Sequence, residues 1–253
     1  MNEQQRVRTR GAHRIFCVLY VLVVLALSIW RLFSSGGLDA LPAQLQAADG
    51  AFGKIMAFFL NISVLNMLKM WVSFFFLLIP PVLCWLFRAK TSYRMNIAIY
   101  AFGFTAFSLG VAMEWYHLIE VYDLIAHFLS GVFFALVGMC AYLYFRRDKS
   151  APLGADPWLA AVFSFSFSGF VAGFWELLEY AMFLITGYDS QNVAATGVAD
   201  TMEDMFMGTL GGLLVAVILL IWLRKQYRTV LLSPVKEFYD VNYAPDNEGA
   251  SAP

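Results

Sequence analysis

The chain has 253 residues, of which 60% are hydrophobic and 14% are charged. A soluble domain averages about 45–50% apolar and about 25% charged residues, so this composition excludes a single soluble core and indicates an integral membrane protein. The net charge of −1 gives no overall attraction to nucleic acid. We therefore expect membrane lipids and not nucleic acid as partners, and the sequence indicates no particular protein partner.

The chain opens with a basic arm, residues 1–14, which we predict to be cytoplasmic. An apolar run at 15–33 follows the arm. This run is longer than the roughly 7–15 apolar residues of a secretory signal peptide. We therefore predict that it is the first of the membrane-spanning helices.

The apolar stretch 51–87 is too long for one span, because about 20 residues cross the hydrocarbon of a bilayer. Polar residues interrupt its first half. We divide it into an interfacial amphipathic helix at about 51–66 and a span at 69–87, in which Pro80 and Pro81 should produce a kink. A span at 55–78 is the alternative division.

Four further apolar runs complete the membrane domain, which we place at residues 15–232. They cover residues 95–113, 123–145, 158–185 and 201–223. The polar tail, 233–253, is predicted to be disordered and cytoplasmic.

Lysine and arginine residues are concentrated in alternate loops along the chain. They concentrate in the N-terminal arm and after the second, fourth and sixth spans, whereas the loops 115–122 and 186–200 contain none. Positive residues stay on the cytoplasmic side of a membrane. The sequence therefore predicts an all-α polytopic bundle of about six transmembrane helices, with the N and C termini in the cytoplasm.

The last three spans carry ionisable residues, which are costly in a membrane and therefore indicate a functional site. These residues are Asp123, His127, Glu176, Glu179, Asp200 and Asp204. In the predicted orientation all of them lie toward the outer surface, and spacings of three and four residues place neighbours on one helix face. We expect them to line a single pocket.

Small residues extend the same helix faces. Gly131 follows His127, Gly208 and Gly212 follow Asp204, and Gly169 and Gly173 precede Glu176. Small residues let helices approach closely in lipid. We therefore expect the fourth, fifth and sixth spans to form a tight bundle through these positions.

Each polar residue also has a structural interpretation. Asp123 and Asp200 could be N-caps, and Thr201 with Asp204 fits a capping box. The two glutamates could form a hydrogen-bonded structural pair, and His127 could be a packing residue. The aromatic residues at 115, 116 and 122 are typical of a membrane interface.

Several carboxylates in one pocket of low dielectric cannot all be ionised without a cation. The repulsion between the carboxylates could be relieved by a divalent metal ion, by protonation of some carboxyls as in a proton relay, or by basic side chains. We favour the metal. One imidazole with several carboxylates suits Zn, Mn or Fe, whereas oxygen ligands alone suit Mg or Ca. The predicted ligands are Asp123, His127, Glu176, Asp200 and Asp204, and the predicted catalytic residues are Glu176 and Glu179.

The polar residues form a pattern that resembles the YjdF family of bacterial inner-membrane proteins. It runs Tyr122-Asp123-x-x-x-His127-Phe128-x-x-Gly131, then Trp175-Glu176-Leu177-x-Glu179, then Asp200-Thr201-x-x-Asp204-Met205, with Gly211. The resemblance extends over about residues 95–223 and departs at 186–200, where Gln191 and Gly197 are spaced differently. It implies a small polytopic fold in a bacterial inner membrane. A looser similarity to VanZ-like proteins implies cell-envelope lipid chemistry.

We predict a metal-dependent enzyme that acts on an envelope lipid or a lipid-linked substrate, with one glutamate as general base. A proton-coupled or small-solute transporter, in which the same carboxylates titrate, is the first alternative. A non-catalytic membrane factor is the second. Transport requires polar residues to continue toward the cytoplasm, but Gly, Leu, Val and Phe dominate there, which favours a pocket open on one side.

Overall fold

The computed structural model describes residues 3–34, 36–187, 189–225 and 229–243, and the regular elements in this part of the chain are all helical. Six helical stretches are long and apolar enough to cross a membrane. They are Gln4–Ser34, Ile62–Leu86, Tyr93–Ala112, Tyr122–Phe145, Pro157–Thr186 and Ala199–Lys225. The predicted all-α fold with six spans is confirmed.

Some of these spans contain more than one helical segment. In chain order the helices are α1 (Glu3–Ser34), α2 (Leu41–Ala47), α3 (Gly50–Phe59), α4 (Ile62–Trp71), α5 (Phe75–Leu86), α6 (Tyr93–Gly103), α7 (Trp115–Leu118), α8 (Tyr122–Phe145), α9 (Pro157–Thr186), α10 (Val193–Thr196), α11 (Ala199–Lys225) and α12 (Ser233–Asn242). A 3₁₀ turn at Val72–Phe74 joins α4 to α5, so these two helices form one span. A π-helix, Phe104–Ala112, continues α6.

The second span begins earlier than we predicted. Asn61 caps α4, because its side-chain oxygen accepts hydrogen bonds from the backbone of Ser63 (3.1 Å) and Val64 (3.4 Å). The helix then continues through Asn66, which is buried among the other helices and does not interrupt it. The span therefore starts at residue 62 and not at 69 or 55, and the helix predicted at 51–66 is α3, which ends at Phe59.

The prediction of disorder from residue 233 is wrong for the part of the tail that the structure describes. Residues 233–242 form α12, and Glu237 accepts hydrogen bonds from the backbone N–H of Arg94 (2.7 Å) and the hydroxyl of Ser92 (3.3 Å). Asn242 accepts from the backbone N–H of Lys90 at 2.6 Å. These partners fix a segment whose polar composition is typical of disorder. Residues 244–253 lie outside the described residues.

Helices α8, α9 and α11 form the tightest part of the fold. A Cβ atom on Gly131 of α8 would overlap the carbonyl oxygen of Gly208 in α11, and a Cβ on Gly211 would overlap the carbonyl oxygen of Phe128. The hydroxyl of Ser168 in α9 donates to the Gly131 carbonyl oxygen at 2.9 Å. Glycine is therefore required where α8 and α11 cross, and the Ser168 hydrogen bond attaches α9 to this crossing.

The glycines of α9 do not have the packing role that we predicted. The atom nearest to a Cβ on Gly173 would be Met205 Cε at 3.4 Å, and the nearest to one on Gly169 would be Thr209 Oγ1 at 3.9 Å. Neither glycine meets the backbone of another helix. The sequence pattern of small residues is the same in α9 and α11, but only α11 uses it for close helix packing.

The orientation of the chain stays a prediction that rests on the loop charges. We expect reporter fusions after residues 120 and 195 to report the periplasm and a fusion after residue 149 to report the cytoplasm. A reversed assignment between the fusions at 120 and 149 would contradict the six-span topology.

Candidate functional site

The structure brings together three of the residues predicted from the sequence. The Nε2 atom of His127 lies 3.4 Å from Oδ1 of Asp123 and 3.7 Å from Oδ2 of Asp204. One possible ligand atom from each residue lies within 4.8 Å of the others. Asp204 is only 4% exposed. Two carboxylates and an imidazole therefore converge between α8 and α11.

The glycine crossing explains why these residues meet. Asp123 and His127 are one turn apart at the start of α8, and Gly131 lies one turn beyond His127. Asp204 likewise lies one turn before Gly208 in α11. Because the two glycines hold the backbones in close contact, the side chains one turn away from the crossing cannot separate.

Glu176 lies beside this group on α9 and is 4% exposed. Its Oε2 atom accepts a hydrogen bond from the Gln191 amide at 3.0 Å, and the same nitrogen donates to the Glu176 carbonyl oxygen at 3.0 Å. The other carboxylate oxygen, Oε1, has no hydrogen-bond partner among the described residues. A buried polar atom without a partner is costly, so Oε1 is a natural contact for a bound molecule.

Glu179 and Asp200 surround the group but do not belong to it. Glu179 is half-buried one turn further along α9, where it faces Glu176 and the Trp175 side chain. Asp200 lies in the first turn of α11, and its Oδ2 atom accepts a hydrogen bond from Asn192 at 3.0 Å. Of the predicted set, only Asp123, His127 and Asp204 share the close three-residue arrangement.

The N-cap interpretation of two acids does not hold. The residue that precedes α8 is Val121, so Asp123 lies inside the first turn of the helix. Asp200 likewise lies inside α11, which begins at Ala199. Both acids can still interact favourably with the positive end of the helix dipole.

Tyr116 is not among the predicted site residues, but the structure places it near the acids. Its ring occupies the space that a side chain at Gly110 would fill, and it lies 5.4 Å from the ring of Tyr122. Burial, followed by the Asp123 carboxylate, raises the pKa of Tyr116 above its ordinary value. The phenol therefore stays protonated and can donate a hydrogen bond. Tyr116 belongs to a loop rich in aromatic residues, which is typical of a membrane interface, so nothing in the sequence indicated that it lies at the site.

An ion pair holds the turn that carries Tyr116. Arg31, at the end of α1, pairs with Glu114 and donates from Nε to the carbonyl oxygen of Ala112 at 2.9 Å. Glu114 has a positive φ of 61°, which is uncommon for a residue other than glycine. The first span thus fixes a backbone turn at the edge of the acidic site.

A groove of about 660 Å³ lies between α9, α11 and the loop that joins them. Its walls are mainly apolar, with Phe170, Phe174 and Met205 among them. Glu176 and Gln191 also line it. The groove therefore connects the buried carboxylate with the outer surface of the helix bundle.

Fold and site together define a polytopic helical membrane protein with an acidic and histidine-containing group in its helical core. The chain belongs to the family described as "Predicted membrane protein (DUF2238)", the YjdF family, whose model matches residues 13–225. The match also includes the first two spans, which lie outside the region of the resemblance, about residues 95–223. No curated protein and no solved structure matches the chain. Similarity to VanZ-like proteins stays a prediction.

Proposed function

We propose that this chain is a metal-dependent enzyme of a bacterial inner membrane, and that its substrate is an envelope lipid or a lipid-linked molecule. The observation that carries the proposal is the arrangement of Asp123, His127 and Asp204, whose possible ligand atoms lie within 4.8 Å of one another. Two carboxylates and one imidazole suit Zn, Mn or Fe. The repulsion between buried carboxylates also makes a bound cation favourable.

Glu176 is the general base in this proposal. Its Oε1 atom has no hydrogen-bond partner among the described residues, so it can accept a proton while Gln191 holds Oε2. Glu179, one turn away, is a second carboxylate to which the proton can pass. When bound, a divalent cation would polarise a carbonyl or phosphoryl group of the substrate. Asp200 and Glu176 are the other two predicted ligands, and both carry further negative charge beside the group, which a bound cation would offset.

The packing of α8 and α11 beyond the glycine crossing, on the side away from the acids, supports an enzyme rather than a carrier. Met139 and Leu143 of α8 and Val215 and Leu219 of α11 are completely buried. They fill the half of the bundle toward which a transported solute would have to continue. A pocket open on one side fits a catalytic site better than alternating access.

Elemental analysis of the detergent-purified protein tests the proposal. We expect the wild type to hold a stoichiometric transition metal, and His127→Ala to lose it because one of three ligands is missing. His117→Ala is the matched control, since His117 is exposed on α7 and lies outside the three-residue group. Wild-type protein without metal after purification in metal-supplemented buffer, or equal metal content in both variants, would overturn the proposal.

A further inference from the structure

The groove between α9 and α11 opens toward the surface that a bilayer would surround. Phe170 and Leu177, which line the groove, are 67% and 65% exposed. In a membrane this surface contacts hydrocarbon. An apolar chain can therefore enter the groove from the side without crossing water.

The length of the groove corresponds to one leaflet of a bilayer. Its lining on α9 extends from Gly169 to Tyr180, which is about 16 Å of helix at about 1.5 Å per residue. The hydrocarbon core of a bilayer is about 30 Å thick. The part between Gly169 and Glu176 is about 10 Å long, so it can hold much of a hydrocarbon chain that belongs to a single leaflet. Gly169 and Gly173 leave space for it, because the nearest atoms to their Cβ positions are side-chain atoms of α11, Thr209 Oγ1 at 3.9 Å and Met205 Cε at 3.4 Å, and no backbone lies there.

The groove is partly polar toward the loop that joins α9 to α11, and there it favours ligands that donate hydrogen bonds. Glu176 lines this part with an unpartnered, buried Oε1 atom, and Gln191 and Thr201 lie beside it. Among the described residues that line the groove there is no lysine or arginine. When no metal is bound, a carboxylate with no lysine or arginine beside it repels a phosphate and accepts a hydrogen bond from a hydroxyl group.

We propose that this groove binds the hydrocarbon chain of an uncharged lipid alcohol, with its hydroxyl group donating a hydrogen bond to Oε1 of Glu176. The inference rests on the proposed function, because it names the substrate class of that enzyme. The hydroxyl then lies at the general base, and the chain lies along Gly173 and Phe174. The binding step itself needs no metal and can be measured without any reaction.

Dioleoylglycerol and dioleoyl phosphatidic acid are suitable probes, because they share both chains and differ in the phosphate. Native mass spectrometry of the full chain in detergent, with chelator present, would count the bound lipid. We expect saturable binding of dioleoylglycerol, at least about tenfold tighter than that of phosphatidic acid. Equal affinities, or binding of dioleoylglycerol that never saturates, would overturn the inference.

Variants locate the binding in the groove. Gly173→Leu should fill the groove and reduce dioleoylglycerol binding by about tenfold or more. Gly11→Leu in α1 is the matched control, because no atom lies within 4 Å of its Cβ position, and it should bind as the wild type does. Thermal unfolding without lipid would show that Gly173→Leu is folded. Unchanged binding by a folded Gly173→Leu variant would overturn the assignment to this groove.

Glu176→Gln tests the head-group contact. The amide keeps the shape of the side chain but removes its charge, so we expect weaker binding of dioleoylglycerol and less discrimination against phosphatidic acid. Unchanged discrimination would overturn the contact with Glu176. The expected lipid binding does not depend on whether the protein holds a metal ion. Lipid binding by a chain that holds no metal would contradict the proposed function alone, whereas a stoichiometric metal without saturable lipid binding would contradict only this inference.

Discussion

Replacing Gly131 by alanine should lower the free energy of unfolding by about 3 kcal/mol or more. The added Cβ atom overlaps the carbonyl oxygen of Gly208, and a backbone atom cannot rotate away as a side chain can. The variant can fold only if α8 and α11 move apart. Because Asp123 and His127 are on α8 and Asp204 is on α11, the same movement should also weaken metal binding. Thermal unfolding in detergent measures the first effect.

Gly173→Ala is the matched control, since it makes the same chemical change in the middle of another helix of the bundle. The nearest atom to its Cβ would be Met205 Cε at 3.4 Å, which is an ordinary contact. Alanine is better than glycine inside a helix by about 1 kcal/mol. We expect no loss of stability at residue 173, or a small gain. Similar losses at both positions would contradict the close crossing of α8 and α11.

Asp204→Asn should have opposite effects on stability with and without metal. A metal ion at about 1,000 times its dissociation constant stabilises the folded state by about 4 kcal/mol, and the variant should lose most of this stabilisation. After chelation the substitution removes a charge that repels Asp123 and Glu176, so stability should rise or stay unchanged. Thermal unfolding of both proteins, with metal and with chelator, measures the difference.

Asp49→Asn is the control for this experiment, because Asp49 is exposed and its side chain makes no capping hydrogen bond to α3. It should behave as the wild type does in both conditions. Equal losses for Asp204→Asn with and without metal would show that Asp204 holds helices together through hydrogen bonds and that the site binds no metal.

Much of the fold could be predicted because a membrane imposes strong rules on a sequence. The length of each apolar run indicated six spans, and the four-residue spacing of Asp123 and His127 placed both on one face of α8. The start of the second span could not be predicted in the same way. Asn66 is polar, but its burial among other helices is a tertiary effect that hydropathy along the chain does not report.

The environment of the site depends on contacts that the sequence pattern does not contain. Gln191 reaches back from a loop to hold Glu176, and α12 is fixed by partners on a distant part of the chain. The glycine pairs of α9 and α11 have the same spacing, yet only in the α11 pair, Gly208 and Gly212, would a Cβ atom come within 3.0 Å of another helix. Spacing shows which residues share a helix face. It does not show what that face contacts.

The attachment of α12 has a consequence for how the protein is made. Arg94 at the start of the third span pairs with a residue 143 positions later, and Lys90 pairs with one 152 positions later. The ribosome must add 143 residues after Arg94, and 152 after Lys90, before these partners exist. The third span must therefore enter the membrane with its first turn incompletely bonded, and the final packing step must follow synthesis. A chain truncated before residue 233 would keep all six spans but lack the partners of Arg94 and Lys90, so this packing step could not occur.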